Sequence, residues 1–149
     1  MVNELNFSIF GENREAMPLQ VIEIFPSEAI WSLGIKGYYG DIDSKTIRAY
    51  KKKKPKDISY TDAHDIAKLP LSAFSTLLPD IDIDSAIQTI VNHCCENSKI
   101  DNDTVSKGKG FDDPLESGIA FFTALCFTKE KHHIWGSGKD GTIVGPGVL

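Results

Sequence analysis

Residues 118–127 read GIAFFTALCF, a run in which only Gly118 and Thr123 are not plainly apolar. Signals on both sides predict that the run lies on a helix. Asp113 stands as N-cap, Pro114 at the first helical position and Glu116 three residues after the cap, which is capping-box spacing. Lys129, Lys131, His132 and His133 then fill the last turn, where the helix dipole favours positive charge. A helix over 113–133 that is apolar around most of its circumference has to be covered on most sides. It therefore belongs at the centre of its domain. A buried strand is the competing reading, since a short apolar run does not separate the two and Gly118 weakens a helix. The run is far short of the roughly 20 apolar residues that span a bilayer.

The remaining sequence arranges elements around that centre. The 149 residues make one domain, 1–149, long enough to bury roughly 70% of its unfolded surface. Leu5, Phe7 and Ile9 alternate with polar residues, and LQVIEIF at 19–25 repeats the pattern with one slip in phase, so the chain opens on two strands. After Pro26, Ser27 is a candidate cap and Gly34 a stop for a two-turn helix, while GIKGYYG is too glycine-rich for a helix and is read as a short strand with Tyr38 and Tyr39 as packing residues. A short helix from Ser44 ends before Pro55. TDAHDIAKL opens a helix at Thr61 or Asp62, and PLSAFSTLLP forms another between Pro70 and Pro79. DSAIQTIVNHCCENS takes Asp84 or Ser85 as cap and presents Ile87, Ile90, Val91, Cys94 and Cys95 as one face. Residues 97–110 read as a polar loop, and HIWGSGKDGTIVG as two strands around a glycine turn. The predicted fold is α+β: a small, mainly antiparallel sheet from the N-terminal strands and the C-terminal hairpin, packed against four or five helices.

GSGKDG resembles a phosphate-binding loop only at first sight. Such a loop needs a glycine five positions before its Gly-Lys pair and Ser or Thr after the lysine, where this chain has His133 and Asp140. The nine residues after Asp140 include Gly145, Pro146 and Gly147, which leaves no helix to hold a phosphate. A hairpin turn is the better reading. Cys126 with His132 or His133 is the best candidate thiol nucleophile, yet the apolar run around it would raise the thiol pKa, so core packing is preferred. Cys94 and Cys95 lie on a helix stripe and receive the same reading. His93, Cys94, Cys95, His132 and His133 are ligand types that suit zinc, but none stand at the spacings that close on one ion, so no metal and no cofactor is expected. In PDIDIDS, Asp80, Asp82 and Asp84 match the start of a calcium loop, but Ser85 replaces its glycine and Val91 its final glutamate. A serine hydrolase motif is lacking, and paired acids cannot be picked out of 21 carboxylates.

Charge narrows the partner. Net charge is −5, and five of the sixteen basic residues are Lys51 to Lys54 and Lys56, so the other eleven face twenty-one acids. Such a surface repels nucleic acid and anionic membrane and attracts cationic partners. The lysine run, flanked only by Tyr50 and Tyr60, reads as a solvated helix end rather than a nucleic-acid platform. Three cysteines, two of them adjacent, form no disulfide framework. With no leader at the N-terminus, this predicts a cytoplasmic protein.

In size, sign of charge, reducing compartment and lack of a catalytic motif, the chain resembles the small immunity proteins that bacteria encode beside secreted or contact-delivered toxins, many of which are basic nucleases. The resemblance is one of general character, as in contact-dependent inhibition, and transfers no residue. It implies an acidic protein that blocks a basic toxin domain by steric and electrostatic occlusion and performs no catalysis. Asp80, Asp82, Asp84, Asp101 and Asp103 are the expected partner contacts, with Trp31 and Trp135 as candidate anchors. The alternatives are a small cysteine- or carboxylate-dependent hydrolase, and a phosphate or nucleic-acid binder using the lysine run or the glycine turn.

Overall fold

The structure is a computed structural model that describes residues 8–9, 20–47, 57–97, 104–106, 109–137 and 141–147. The fold is α+β. Helices α1 (Pro26–Ile35), α3 (Tyr60–Leu71), α5 (Ile83–Asn97) and α6 (Lys109–Thr128) form the body, with single turns α2 (Ser44–Ile47) and α4 (Phe74–Leu77) between them. The strands are β1 (Ser8–Ile9), β2 (Gln20–Val21), β3 (Asp57–Ser59), β4 (Thr104–Ser106), β5 (His132–Ser137) and β6 (Gly141–Pro146). β3 and β4 pair antiparallel, as do β5 and β6, whereas β1 and β2 pair parallel. The two N-terminal strands are present, but they pair parallel and not in the antiparallel sense expected of the sheet. The chain after β2 reaches the C-terminal hairpin through a parallel bridge between Glu23 and Ile143, with Val144 N–H donating to the Glu23 carbonyl at 3.0 Å.

Helix α6 is central, as its composition required, and touches α1, α3, α5 and the C-terminal hairpin. Leu115, Ile119, Phe122 and Cys126, spaced four, three and four apart, form its buried stripe. Against it pack Ile30 and Leu33 of α1, Ala67 and Leu71 of α3, Phe74 of α4, and Ile87 and Val91 of α5 in one cluster. Thr123 is buried without penalty, because its hydroxyl donates to the Ile119 carbonyl at 2.8 Å.

Several boundaries move, each for a local reason. α1 starts at Pro26 with Phe25 as the cap residue, so Ser27 lies inside the first turn. It ends at Ile35, one residue past Gly34: Tyr38 N–H bonds the Leu33 carbonyl and Gly37 N–H the Gly34 carbonyl, with Gly37 at φ +75°. That left-handed glycine closes the helix and sends GIKGYYG into turns rather than a strand. Tyr39 is buried, and its hydroxyl donates to the Pro70 carbonyl at 2.9 Å. Pro70 does not begin a helix but sits in the last turn of α3, where its missing N–H costs one bond near an end that would fray. α6 begins at Lys109, so Asp113 is not its cap and Pro114 lies within it, while His132 and His133 belong to β5. β4 occupies part of the stretch read as a loop, since strands of three residues are too short to show a period.

Asp82 caps α5. Ser85 N–H donates to Asp82 Oδ1 at 2.9 Å, where the sequence pointed to Asp84 or Ser85. Replacing Asp82 with Ala is expected to lower stability by about 1 kcal/mol. A urea titration checks this, and an unchanged midpoint would remove Asp82 from that role.

Candidate functional site

The fold covers one side of α6 and leaves part of the other open. Phe121, one residue from the buried Phe122, is 59% exposed. α5 and α6 run antiparallel, since Asp80 before α5 meets Lys129 after α6 while Ile90 lies over Gly118. Between them runs a groove of about 800 Å³. Its walls are Ala86, Thr89, Ile90 and His93 on α5 and Pro114, Ser117, Gly118 and Phe121 on α6, with Ile81 and Phe122 at one end. Gly118, which weakened the helix reading, lies against α5: a Cβ there would stand 2.8 Å from Ile90 Cδ1, the far end of a flexible side chain.

The expected contact residues fall partly beside this groove. Asp80 and Asp82 bracket Ile81 and are exposed, and Asp113 stands at the opposite end. Asp80 pairs with Lys129 at 3.2 Å, an exposed contact of small energetic value. Asp84 is turned the other way, toward Lys68 of α3 at 3.6 Å. Asp101, Asp103, the Lys51 to Lys56 run and residues 138–140 of the glycine turn lie outside the described residues. The side chains of Cys94 and Cys95 do as well.

A second cluster joins α1 to the C-terminal hairpin. His133 is buried, with Nε2 3.1 Å from Ser32 Oγ and Nδ1 3.1 Å from the Gly147 carbonyl oxygen. The carbonyl only accepts, so Nδ1 carries the proton. Ser32 Oγ also lies 3.0 Å from the Pro146 carbonyl, to which it donates, and Nε2 and that carbonyl compete for one hydroxyl proton. The Trp135 ring meets His133 edge-on at 4.2 Å and faces Trp31 at 6.0 Å. Trp31 is half-exposed, and with Ile35 and Lys36 the cluster borders a hollow of about 230 Å³. Nothing in the spacing of Ser32 and His133, on a helix and a strand at opposite ends of the chain, marks them as partners.

Burial pushes the His133 pKa below its usual 6.5, with the Gly147 bond opposing and Lys36 and His132 adding to the fall. The unfolded chain therefore binds a proton at a pH where the native imidazole still refuses it. Stability from His133 is complete above pH 6.5 and is lost as pH falls below that value. Urea midpoints at pH 7.5 and 5.5, compared between the native chain and His133→Asn, should show a larger acid loss in the native chain. Equal losses would contradict the assignment.

Cys126 is fully buried, and desolvation raises its thiol to about 11, only partly offset by Lys131. The imidazole of His133 is engaged by Ser32 and Gly147, and the His132 ring lies 4.6 Å from that of Phe127, tilted by 45°. Cys126 thus lies in the core, where the apolar run around it was expected to place it. In a Cys94→Ser/Cys95→Ser background, Cys126 should stay inert to a thiol reagent at neutral pH and react on unfolding. Rapid native labelling would reverse that conclusion.

Among the described residues no three His, Cys, Asp or Glu side chains converge as a metal site requires. No helix there is long and apolar enough to cross a membrane. No protein-family model matches the chain, and neither curated proteins nor solved structures give a significant match.

Proposed function

We propose that this chain is an acidic binding protein of the cytoplasm that covers a basic surface of another protein, acting as immunity proteins do on their toxins. The observation that carries the reading is the exposed Phe121 in a groove that also takes in Ile81, the residue between exposed Asp80 and Asp82. An apolar anchor within a ring of charge is how specific protein contacts are built: the carboxylates speed the encounter, and the buried ring slows dissociation. The net charge of −5 extends the same field over the whole molecule.

Support also comes from what the nucleophile candidates do. Cys126 is in the core, and His133 ties two elements together. Both are accounted for by the fold, whereas the exposed apolar wall of the groove at Phe121 packs against nothing among the described residues that would cover it.

The test is affinity capture from the native cell and its neighbours with the native chain and with Asp80→Lys/Phe121→Lys as baits. A strongly basic protein should be retained by the first and lost from the second. That protein should arrest growth when expressed alone and be tolerated when co-expressed with this chain. Retention of acidic proteins, or equal retention by both baits, would refute the reading.

A further inference from the structure

We infer that the groove between α5 and α6 seats one amphipathic helix of the cationic partner, packed as a third helix on Ile90 and Phe121, with its Lys and Arg side chains meeting Asp80, Asp82 and Asp113. The inference rests on the reading that the partner is a basic protein, and adds the form in which that partner is recognised.

Three observations carry it. The first is the unfinished packing of α6. Its sequence is apolar around most of the circumference, but the core uses the side bearing Leu115, Ile119, Phe122 and Cys126, and Phe121 remains 59% exposed. Among the described residues nothing covers the groove.

The second is the shape of the walls. Lining positions recur at 86, 89, 90 and 93 on α5 and at 114, 117, 118 and 121 on α6, in each case the i, i+3, i+4, i+7 series of one helical face. The trough therefore follows two antiparallel helices. Their backbone groups are already bonded within each helix, so an extended segment laid here would find no ladder for its own N–H and C=O groups. A helix brings its hydrogen bonds with it and needs only side-chain contact, which is the helix-in-groove mode of recognition.

The third is charge. Among the described residues neither Lys nor Arg lines the groove, and carboxylates stand at both ends, Asp80 and Asp82 at one and Asp113 at the other. A basic side chain arriving at Asp80 displaces Lys129 from an exposed pair that is weak to begin with. A second copy of this chain would bring like charge against like charge, and an anionic lipid surface would be repelled in the same way.

The test uses the whole protein and an 18-residue peptide with Leu at the i, i+3, i+4, i+7 positions and Lys elsewhere, read by fluorescence anisotropy and circular dichroism. The peptide should bind and gain helicity. A scrambled peptide of the same composition, one with Glu for Lys and one with a central Pro should each bind at least tenfold more weakly. Phe121→Ala should weaken binding tenfold or more with an unchanged melting temperature, and Asp80→Asn/Asp113→Asn should flatten its salt dependence. Equal binding of the scrambled or Pro peptide, no binding of any peptide, or no effect of Phe121→Ala would overturn the helical occupant while leaving a basic partner possible by capture. Equal binding of the Glu peptide would overturn the cationic preference and the proposed function with it.

Discussion

Phe74→Ala is expected to lower the unfolding free energy by about 3–5 kcal/mol, the cost of removing a fully packed aromatic ring. Phe74 is completely buried on the single turn α4, and its ring lies 5.5 Å from that of Phe122 on α6. A turn of four residues has no stability of its own, so the truncated side chain leaves a cavity and removes what holds α4 on the core. Domains of this kind are stable by about 5–15 kcal/mol, so the variant should be close to unfolding. Phe121→Ala is the matched control. Its ring is 5.5 Å from Phe122 on the other side, yet 59% exposed, and its loss should change stability by about 0.5 kcal/mol or less. Urea titrations of the two variants measure the contrast. Similar losses would mean that Phe121 belongs to the core and that the groove is not an open surface.

That contrast also shows what was legible in the sequence. The apolar run around Cys126 made α6 a central helix, and the structure agrees, because a helix of that composition has few other places to go. The composition and flanking signals that located the helix could not tell which of its sides would be left uncovered, since that depends on how many neighbours reach it. Phe121 and Phe122 are adjacent and chemically identical, and only the packing of α3, α4 and α5 separates their fates. The same limit applies to the acids. PDIDIDS was readable as a cluster of carboxylates, but its division into a helix cap at Asp82, a pair with Lys129 at Asp80 and a pair with Lys68 at Asp84 is set by tertiary placement. The hairpin at the C-terminus was readable because its turn chemistry is local, with β5 and β6 in register from His132 opposite Pro146 to Ser137 opposite Gly141. The strands β1 and β2 were readable from alternation, but their parallel pairing was not, because alternation gives a strand's faces and not the direction of its neighbour.

Gly145→Ala should be the most damaging change in the hairpin, at about 1–3 kcal/mol, although it adds a single methyl group. An added Cβ would stand 2.8 Å from Trp135 Cζ3 and 2.9 Å from both Cε1 and Nε2 of His133. Neither ring can step aside cheaply. His133 is held at both nitrogens by Ser32 and Gly147, and Trp135 is wedged between His133 and Trp31. Relief therefore means breaking the tie between α1 and the hairpin, so the variant should also show altered tryptophan emission and a smaller stability loss between pH 7.5 and 5.5. Gly118→Ala separates this effect from overpacking in general. There the new Cβ meets Ile90 Cδ1 at 2.8 Å, but that atom is the free end of a flexible side chain beside an open groove. Alanine also favours the helix by about 1 kcal/mol over glycine, so Gly118→Ala should be neutral or mildly stabilising. If Gly145→Ala proved as harmless as Gly118→Ala, the two rings would be free to move, and the buried histidine could not be what fastens the two ends of the chain together.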